Sequence, residues 1–512
     1  MEKRILASLL ALCLLLPVLS GCGESKKETP ETTTAAVDTT APAAVTEVTE
    51  TEDPRKTMPD SLPADLNLGG ATVRILGYSN SNWAAYDICG LQEESGDLVF
   101  DAVYDRTRKV EERLNVTIEP DLHESKWQDY ASLMRSLVQS GDDSYGMFYT
   151  MGNASIQSSN DKLFRDLADA PYLDFSQPWW WKEAMDELSL DGSTYRYLVG
   201  DISLTHYMTC GCTFFNKALY EDTFGDPDEL YKLTLDGGWT LDKFREMAGA
   251  AYRDVNGNGA VDEGDVYGSI VGNPELIKQL EYASDLQRYT RDENGCIAFG
   301  YDEERATQLT EKLVQILFET PGVEYRSAYT SLNLFSNRSM VFLLERLWQT
   351  FNGVMREMED DFGIIPMPKQ DEEQKEYRAL IHNNSEYVVV PKPAAEPEMA
   401  CAVIEAMCAE SYRSVVQPFY EQAMKLKYSR DAYSGQCIDL IRQGARKVVL
   451  YEYDDVFNQC ATIITNCVKD QSTNFSSTYA KRKSAASKTI EKYMDKFKKD
   501  KEAEENIWKT IG

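Results

Sequence analysis

The chain has 512 residues, more than one hydrophobic core ordinarily organises, so we expect two domains and a tail. Apolar residues make up 43% and aromatic residues 11%, which is typical of a globular protein. The net charge is −31, from 53 basic and 84 acidic residues. Such a surface repels phosphate backbones, and no basic cluster with interleaved aromatic residues offsets it. These properties exclude nucleic acid as an expected partner.

The N-terminus has the order of a secretory signal. Residues 2–4 are charged, residues 5–19 are almost wholly apolar, and small residues then precede Cys22. The apolar run of about 15 residues is shorter than the roughly 20 that a membrane-spanning helix needs. Leu19-Ser20-Gly21-Cys22 resembles a bacterial lipobox. We therefore expect a signal peptide over 1–21 and a palmitate-type lipid on Cys22, holding the protein at the extracellular face of the cell membrane. The alternative is an ordinary signal peptide with a chance cysteine.

The segment that follows, 22–64, is predicted to be the lipid anchor and a disordered tether. It consists mainly of Thr, Glu, Ala, Pro, Lys and Asp, with hardly an apolar anchor. Such a composition buries too little surface to offset the conformational entropy of folding. Its roughly 40 residues could reach on the order of 130 Å when stretched.

Beyond the tether, short apolar runs alternate with helical patterns, which predicts an α/β protein with a largely parallel sheet. Predicted strands are 71–77, 116–118, 146–150, 266–270, 340–344, 362–365 and 387–390. Predicted helices are 100–114, 127–138, 241–252, 274–289, 303–318, 397–410, 436–443, 456–468 and the strongly basic 477–499.

A calcium site is predicted where oxygen-bearing residues recur in the register of a calcium loop. Gly259 supplies the sharp turn at position 6, and Ala260 would offer its carbonyl. The predicted ligands are Asp254, Asn256, Asn258, Ala260, Asp262 and Asp265. A helix leads into the loop and a strand follows it, so this is half of an EF-hand with a structural role. The alternative is a polar turn that satisfies its own backbone.

Aromatic residues are the second chemical signal. Trp179, Trp180 and Trp181 are consecutive, so they cannot all face one core, and at least one is expected to line a pocket. Indole faces stack on the apolar C–H faces of sugar rings. Trp239, just before a helix start, is predicted to anchor the core.

Catalytic patterns are largely missing. The three histidines, His123, His206 and His382, are far apart in sequence, and no serine elbow, zinc helix or phosphate loop occurs. We therefore expect no enzyme, although the sequence leaves a glycosidase open because it does not reveal the separation of two carboxylates. Of 11 cysteines, most of those outside the signal and the anchor are interpreted as buried thiols.

Several blocks in a fixed order make the chain similar to the family 1 extracellular solute-binding proteins of ABC sugar importers, in the long form common in gut Firmicutes. Each block is weak alone, and their order is specific to the family. They are Thr213-Phe-Phe-Asn216-Lys217, Gly238-Trp239-Thr240, the Asp254–Asp265 loop, Phe335-Ser-Asn-Arg-Ser-Met340, Leu347-Trp348, Asp361-Phe-Gly-Ile-Ile-Pro366 and Val388-Val-Val-Pro391-Lys392.

The resemblance implies a two-lobe periplasmic-binding-protein-like fold of type II, with the ligand in the cleft between the lobes. Lobe 1 would comprise 65–205 plus 335–385, and lobe 2 would comprise 206–334 plus 386–512. It also implies a carbohydrate ligand, ABC permease subunits as partners, and a monomer. A cell-surface glycosidase, a receptor for a peptide or other non-sugar solute, and a purely structural surface protein remain as alternatives.

Candidate ligand-binding residues come from the resemblance and from position. Trp348 corresponds to an indole that stacks on sugar in relatives, although Glu345-Arg346 beside it departs from the usual small or amide residues, which indicates either a different ligand or an internal ion pair. Asn82 and Trp83 follow a predicted strand, where open α/β sheets bind ligands. The other candidates, near predicted lobe crossings or in the indole cluster, are Trp179, Trp180, Asp201, Tyr207, Asn383 and Asn384.

Overall fold

Two separate sheets carry the fold of this protein, seen in a computed structural model. The structure describes residues 53–78, 97–157, 161–259, 261–262, 264–326, 330–420, 433–503 and 507–508. The predicted signal, Cys22, Asn82 and Trp83 lie outside these residues. In chain order the strands are β1 Ala71–Tyr78, β2 Val116–His123, β3 Met147–Met151, β4 Gly211–Asn216, β5 Tyr267–Val271, β6 Tyr289–Arg291, β7 Ile297–Phe299, β8 Val323–Tyr325, β9 Met340–Arg346, β10 Phe362–Pro366, β11 Ala379–Leu380, β12 Glu386–Val389 and β13 Ala445–Arg446.

The first sheet has the order β2-β1-β3-β12. The first three strands are parallel, with Ala71 beside Val116 and Ile75 beside Met147. β12 runs antiparallel to β3. β3 is buried along its whole length, as expected of a parallel strand covered on both faces, whereas the edge strand β2 begins with alternating buried and exposed residues.

The second sheet repeats this plan in the order β8-β5-β9-β4-β10. β5 is parallel to β8 and β9, whereas β4 is antiparallel to both β9 and β10. Each sheet therefore contains one antiparallel strand, and in each case that strand is the first one after the chain has crossed from the other sheet. Two small ribbons, β6-β7 and β11-β13, complete the set of paired strands in the described residues.

Helices cover the sheets, and several of them begin at a residue whose side chain caps the first turn. Asp97 accepts hydrogen bonds from the backbone N–H groups of Val99 and Phe100, and Asn115 ends the same helix in a left-handed conformation. Helices with bounds inside the described residues are Leu98–Leu114, Trp127–Ser140, Gly152–Ser155, Lys182–Leu188, Thr205–Met208, Lys217–Phe224, Asp228–Leu235, Leu241–Ala251, Pro274–Ala283, Glu303–Glu319, Thr330–Ser336, Gly353–Arg356, Pro397–Ser414, Ser434–Gly444, Val449–Glu452, Ile463–Lys469 and Phe475–Ala503.

The predicted lobe boundaries need correction in their returning segments. β9 and β10, within the predicted lobe 1 segment 335–385, pair in the second sheet, and β12, assigned to lobe 2, pairs in the first. The prediction was wrong because a short apolar strand carries no mark of the sheet it will join. The chain crosses between the sheets over 201–210 and returns over 381–386, and these two segments bridge each other at Cys210 and Ile381.

Three further boundaries differ from prediction. The predicted tether, 22–64, is too long, since Pro54–Thr57 forms a 3-10 turn and Leu62 is buried. The helix predicted over 274–289 ends at Ala283, because 289–299 forms the β6-β7 hairpin around Gly295, whose φ is +76°. The helix predicted over 456–468 begins only at Ile463.

The interior agrees with two predictions. Trp239 is fully buried and donates its indole N–H to the carbonyl of Pro366, so it anchors the core as expected. All eight cysteines among the described residues are buried free thiols, which confirms their interpretation. Within the described residues, no helix is both long enough and apolar enough to span a bilayer.

Candidate ligand-binding cleft

Parallel strands of both sheets end next to the crossing segments. Gly152, just after β3, donates its backbone N–H to the carbonyl of Asn383 in the returning segment at 3.0 Å. β9 ends at Arg346 beside Gly211, the first residue of β4. Ligands of open α/β sheets bind beyond the carboxyl ends of strands, which makes this edge the candidate ligand-binding cleft.

Asn383 and Asn384 lie at this edge with free surface. Asn384 is exposed and Asn383 is partly exposed, as a role in ligand binding requires. The backbone N–H of Asn384 donates to Nδ1 of His382 at 3.1 Å, so Nδ1 is an acceptor and Nε2 carries the proton. The same imidazole thereby fixes the orientation of the segment that presents both amides.

His382 is held in turn by Glu275, near the start of helix Pro274–Ala283. Its Nε2 lies 3.5 Å from a Glu275 oxygen, which also accepts from the Tyr451 hydroxyl at 3.2 Å, and Lys278 contacts the other oxygen at 2.9 Å. Burial lowers the pKa of His382 to about 4, so the imidazole is neutral at pH 7. Burial acts to raise the pKa of Glu275, but His382 and the Lys278 ammonium outweigh it and hold that pKa at about 2.

A buried ion pair between Lys447 and Glu452 holds the returning segment, 381–386, through hydrogen bonds of the lysine. Lys447 and Glu452 are both fully buried and 3.0 Å apart, and Lys447 also donates to the carbonyl of His382 at 3.1 Å and to Ser385 at 2.6 Å. Burial lowers the pKa of Lys447. A hydrogen-bonded buried pair of this kind fixes one geometry, because breaking it would leave a buried charge alone. The cleft edge is therefore preorganised rather than loose.

Trp348, which is predicted to stack on a ligand, lies two residues after the end of β9. It sits on the 3-10 turn Leu347–Phe351 and is partly exposed. The charged pair beside it is an internal ion pair: Nε of Arg346 is 3.5 Å from the Glu345 carboxylate, and the backbone N–H of Arg346 donates to it at 3.0 Å. Of the two predicted explanations for Glu345-Arg346, the structure contains the internal pair.

Asp201 and Tyr207 do not line the cleft, contrary to prediction. Asp201 has no exposed surface, Tyr207 is 2% exposed, and the Tyr207 hydroxyl donates to the Asp201 carboxylate. The indole N–H of Trp181 donates to the same oxygen at 2.8 Å. Burial raises the pKa of Asp201, whose second oxygen lies 3.9 Å from Arg442. The polar groups of these side chains bond to one another in the interior, so they stabilise the first crossing segment and leave no surface for a solute.

Trp179 and Trp180, which are predicted to bind ligand, are buried and pack in the interior. They are 0% and 5% exposed, and both indole N–H groups donate to Glu405, at 3.2 and 3.0 Å. Burial raises the pKa of Glu405 to about 7. The expectation that one indole of the three lines a pocket fits Trp181, which is partly exposed.

A groove of about 790 Å³ lies beside the first crossing segment and is lined by Trp180, Trp181, Tyr377, Arg442 and Arg446. Its walls come from both lobes, because the 178–181 segment extends the first sheet while helix Ser434–Gly444 packs on β10 of the second. Arg446 spans it to Glu183 at 2.7 Å.

The predicted calcium loop follows helix Leu241–Ala251, and β5 follows the loop, as expected for half of an EF-hand. The Asp254 carboxylate accepts from the backbone N–H groups of Gly257 and Gly259 at 2.7 and 2.8 Å. Asp265 accepts from Val255 at 3.0 Å, and Asp262 accepts from two asparagine amides. Ala260 lies outside the described residues.

The predicted donor set consists of carboxylate and amide oxygens, which suit a hard cation. In this structure the three carboxylates accept hydrogen bonds from N–H groups of the loop itself, as the alternative of a self-satisfied polar turn predicts. Among the described residues, no three His, Cys, Asp or Glu side chains gather as a metal centre. The carboxylates of Asp254, Asp262 and Asp265, all of them described, therefore do not converge on one point in this structure, and calcium remains a prediction.

Sequence reasoning missed Glu275, Lys278 and His382 as parts of the cleft edge. A signal for the first two exists: Asn273 caps the helix, Pro274 opens it, and Glu275 and Lys278 are three residues apart on one face. His382 had no such signal, because its role depends on a partner more than 100 positions away.

Comparisons with known proteins agree on the fold. No protein-family model matches the chain, and no curated protein matches it in sequence. The sugar-binding protein MalE from Xanthomonas citri is 14% identical, with a TM-score of 0.55 over 83% of this chain and 99% of that one. The cyclic alpha-maltosyl-1,6-maltose binding protein from Arthrobacter globiformis is 12% identical, with a TM-score of 0.54 over 82% and 99%.

A third neighbour carries a different ligand. UgpB from Mycobacterium tuberculosis, in complex with glycerophosphocholine, is 13% identical, with a TM-score of 0.52 over 77% of this chain and 96% of that one. At these identities the likeness concerns the fold. The described part of the chain has the two-lobed, type II fold of periplasmic and extracellular solute-binding proteins.

Proposed function

We propose that this protein is a binding protein that captures a carbohydrate outside the cell and delivers it to an ABC permease. The observation that carries the proposal is the pair of sheets joined by two crossing segments, with the polar groups of Asn383 and Asn384 and the partly exposed Trp348 at the edge between them. Two of the three structural neighbours named above are sugar-binding proteins, which supports a carbohydrate.

Binding would follow from closure of the two lobes about the crossing segments 201–210 and 381–386. The sugar's hydroxyls would bond to the exposed amides, and an indole would stack on its C–H face. The rigid support of His382 by Glu275 and of the 382–385 backbone by Lys447 keeps this edge in one geometry, which lowers the entropic cost of binding. The protein itself performs no covalent step in this proposal.

The location is part of the proposal. Lipidation at Cys22 would tether the protein to the extracellular face of the membrane near its permease. The motif Leu19-Ser20-Gly21-Cys22 supports it. Replacing Cys22 with alanine is expected to release the protein into the medium without changing solute binding.

A thermal-shift screen across mono- and oligosaccharides tests the function. A ligand at 100 times its Kd adds about 2.7 kcal/mol to the free energy of unfolding, enough for a clear rise in Tm. Trp348→Ala and Asn384→Ala should reduce the shift, whereas Trp127→Ala, a partly exposed indole on an outer helix, should not. A shift with glycerophosphocholine alone would indicate a non-sugar receptor, and cleavage of any oligosaccharide would overturn the proposal in favour of a glycosidase.

A further inference from the structure

Arg346 is the last residue of β9 and lies at the candidate cleft. β9 is parallel to β5, and Arg346 lies beside Gly211, the first residue after the first crossing segment. Burial lowers the pKa of His382 to about 4, and the nearby charge of Arg346 acts in the same direction. The same charge acts on the Tyr451 hydroxyl, whose pKa burial raises. The guanidinium is therefore close to the part of the cleft edge that His382 and Tyr451 form.

The ion pair with Glu345 occupies only one side of this guanidinium. The Glu345 carboxylate lies 3.5 Å from Nε of Arg346 and accepts from the backbone N–H of Arg346 at 3.0 Å. The first distance is longer than the about 2.7–2.9 Å of a charge-assisted hydrogen bond. The N–H groups on Nη1 and Nη2 bond to no other group in the described part of the chain. Glu345 therefore orients the guanidinium and leaves its outer fork unused.

The unused fork of Arg346 reaches solvent. The side chain is 18% exposed, and neither Nη atom is one of the buried polar atoms that lack a hydrogen-bond partner. Two residues further along the chain is Trp348, which is also partly exposed. The arginine fork and the indole predicted to stack on a sugar therefore both have surface open to a ligand at the end of β9.

Other charged groups of the cleft edge already have close partners. Glu275 is paired with Lys278 at 2.9 Å, and Glu452 is paired with Lys447 at 3.0 Å. Lys447 also donates to a hydroxyl and to a carbonyl, so all three of its N–H donors are used. Together with the arginine–glutamate pair, these charges sum to zero in a chain whose net charge is −31. The edge therefore does not repel an anion as the rest of the surface does.

Closure of the two lobes on a ligand would take the arginine fork out of water. A charge that loses its water costs free energy unless an opposite charge and new hydrogen bonds replace that water. A neutral sugar offers hydroxyl oxygens, which accept hydrogen bonds but carry no charge. A carboxylate offers two oxygens that match the fork and also carries the compensating charge. The unused fork of Arg346 therefore favours a ligand that bears a carboxylate.

We propose that Arg346 determines specificity by binding the carboxylate of an acidic sugar, so that the captured carbohydrate is a uronic acid or an oligosaccharide containing one. The indole of Trp348 would stack on the sugar ring while the carboxylate accepts two hydrogen bonds from Nη1 and Nη2 of Arg346. Asn384 would bond to a ring hydroxyl. This inference rests on the proposed function, because it names the class of carbohydrate that the same cleft binds.

A comparison of matched sugars tests the proposal by thermal shift and titration calorimetry, on the full chain with Cys22→Ala. The probes are D-glucuronate beside D-glucose and D-galacturonate beside D-galactose, as monosaccharides and as trisaccharides, at constant ionic strength. The members of each pair differ only in the oxidation of C6, which is a carboxylate in one and a CH2OH group in the other. We expect one of the uronates to bind at least about 30-fold more tightly than its neutral partner. Acetate, a carboxylate without a sugar ring, should give no shift at the same concentration.

Two variants of Arg346 and one control assign the preference to the fork. R346Q should weaken uronate binding at least about 30-fold and abolish the preference over the neutral sugar. R346K keeps the charge without the fork and should also lose most of the preference, which separates recognition from folding. The control is R338Q, just before the other end of β9, where Arg338 pairs with Asp222 at 2.9 Å. It removes the same charge from the protein and should keep the preference.

The outcomes separate this inference from the proposed function. Equal binding of uronates and neutral sugars, or equal loss in R346Q and R338Q, would overturn the role of Arg346. A shift with acetate as large as that with a uronate would also overturn it and assign the fork to any small carboxylate. Shifts with neutral saccharides alone would sink the inference and leave the carbohydrate function standing. The absence of a shift with every saccharide, acidic or neutral, would sink both.

Discussion

The hydroxyl of Tyr207 donates a hydrogen bond to the carboxylate of Asp201, and both side chains are buried inside the first crossing segment. The indole N–H of Trp181 supplies the second donor. This contact fixes the segment that connects the two lobes, because a buried carboxylate that loses a donor costs free energy. Through Trp181, which lines the groove described above, the contact also joins that groove to the first crossing segment.

Removing the Tyr207 hydroxyl should destabilise the protein. Tyr207→Phe leaves Asp201 with one donor, and we expect the free energy of unfolding to fall by about 1–3 kcal/mol in urea denaturation. Tyr420→Phe is the matched control, since its ring lies 5.8 Å from that of Tyr207 and its hydroxyl makes no hydrogen bond within the described residues. A similar loss of unfolding free energy in both variants would show that the Tyr207–Asp201 hydrogen bond does not stabilise the crossing segment.

A pH-dependent signal is expected from Glu405 beneath the two indoles. Its folded pKa of about 7 exceeds the ordinary value of 4.5. The group therefore stabilises the fold below about pH 4.5, and this contribution is lost as pH rises through 7, by up to about 3 kcal/mol. Trp179 and Trp180 bond to this carboxylate, so tryptophan fluorescence should titrate with a midpoint near pH 7.

Glu405→Gln should abolish that titration. Glu410→Gln is the control on the same helix: Glu410 pairs with Lys109 and Arg413, and although burial acts to raise its pKa, these cations outweigh it and lower the pKa. A fluorescence transition near pH 7 that survives in the Glu405 variant would refute the assignment.

His382 should make stability depend on pH in the opposite sense. Its folded pKa of about 4 lies below the ordinary 6.5, because burial disfavours the imidazolium. The unfolded chain takes up the proton first as pH falls, so stability is full above about pH 6.5 and declines toward pH 4, by up to about 3 kcal/mol. His382→Gln keeps a donor for Glu275 and removes the titration. Urea denaturation between pH 4 and 7 should show a shallower slope in this variant, and an unchanged slope would count against the prediction.

Much of the secondary structure follows from the sequence, because β-branched runs and helical periodicity are local signals. β1, β3 and helix Leu98–Leu114 lie within two residues of their predicted bounds. Sheet membership is not local. β9 joins β4 through pairing of residues more than 100 positions apart, and nothing in either strand marks the partner.

The residues of the candidate cleft also divide into those that local sequence signals identify and those that only tertiary packing decides. Position near a crossing predicts Asn383 and Asn384 as ligand-binding residues; both have exposed surface, and their role stays a prediction. Asp201 and Tyr207 were proposed by the same argument, yet they bond to each other in the interior. A polar residue beside a crossing has the same sequence context in both cases, and only tertiary packing decides between solute and internal partner.

Calcium binding by the Asp254–Asp265 loop is the remaining expectation, and its test must separate metal ligation from turn geometry. Asp254→Ala removes two hydrogen bonds to the backbone of Gly257 and Gly259 in addition to a predicted ligand, so a lower Tm alone decides nothing. The discriminating measurement is the dependence of Tm on calcium. A chelator should lower the Tm of the unmodified protein and leave that of Asp254→Ala unchanged, because a cation that binds only the folded state stabilises it by mass action. Asp292→Ala removes a similar turn in the β6-β7 hairpin, where the carboxylate accepts from Asn294 and Cys296, and should keep the chelator response. A chelator without effect on the unmodified protein, together with no heat of calcium binding in titration calorimetry, would reduce the loop to a polar turn.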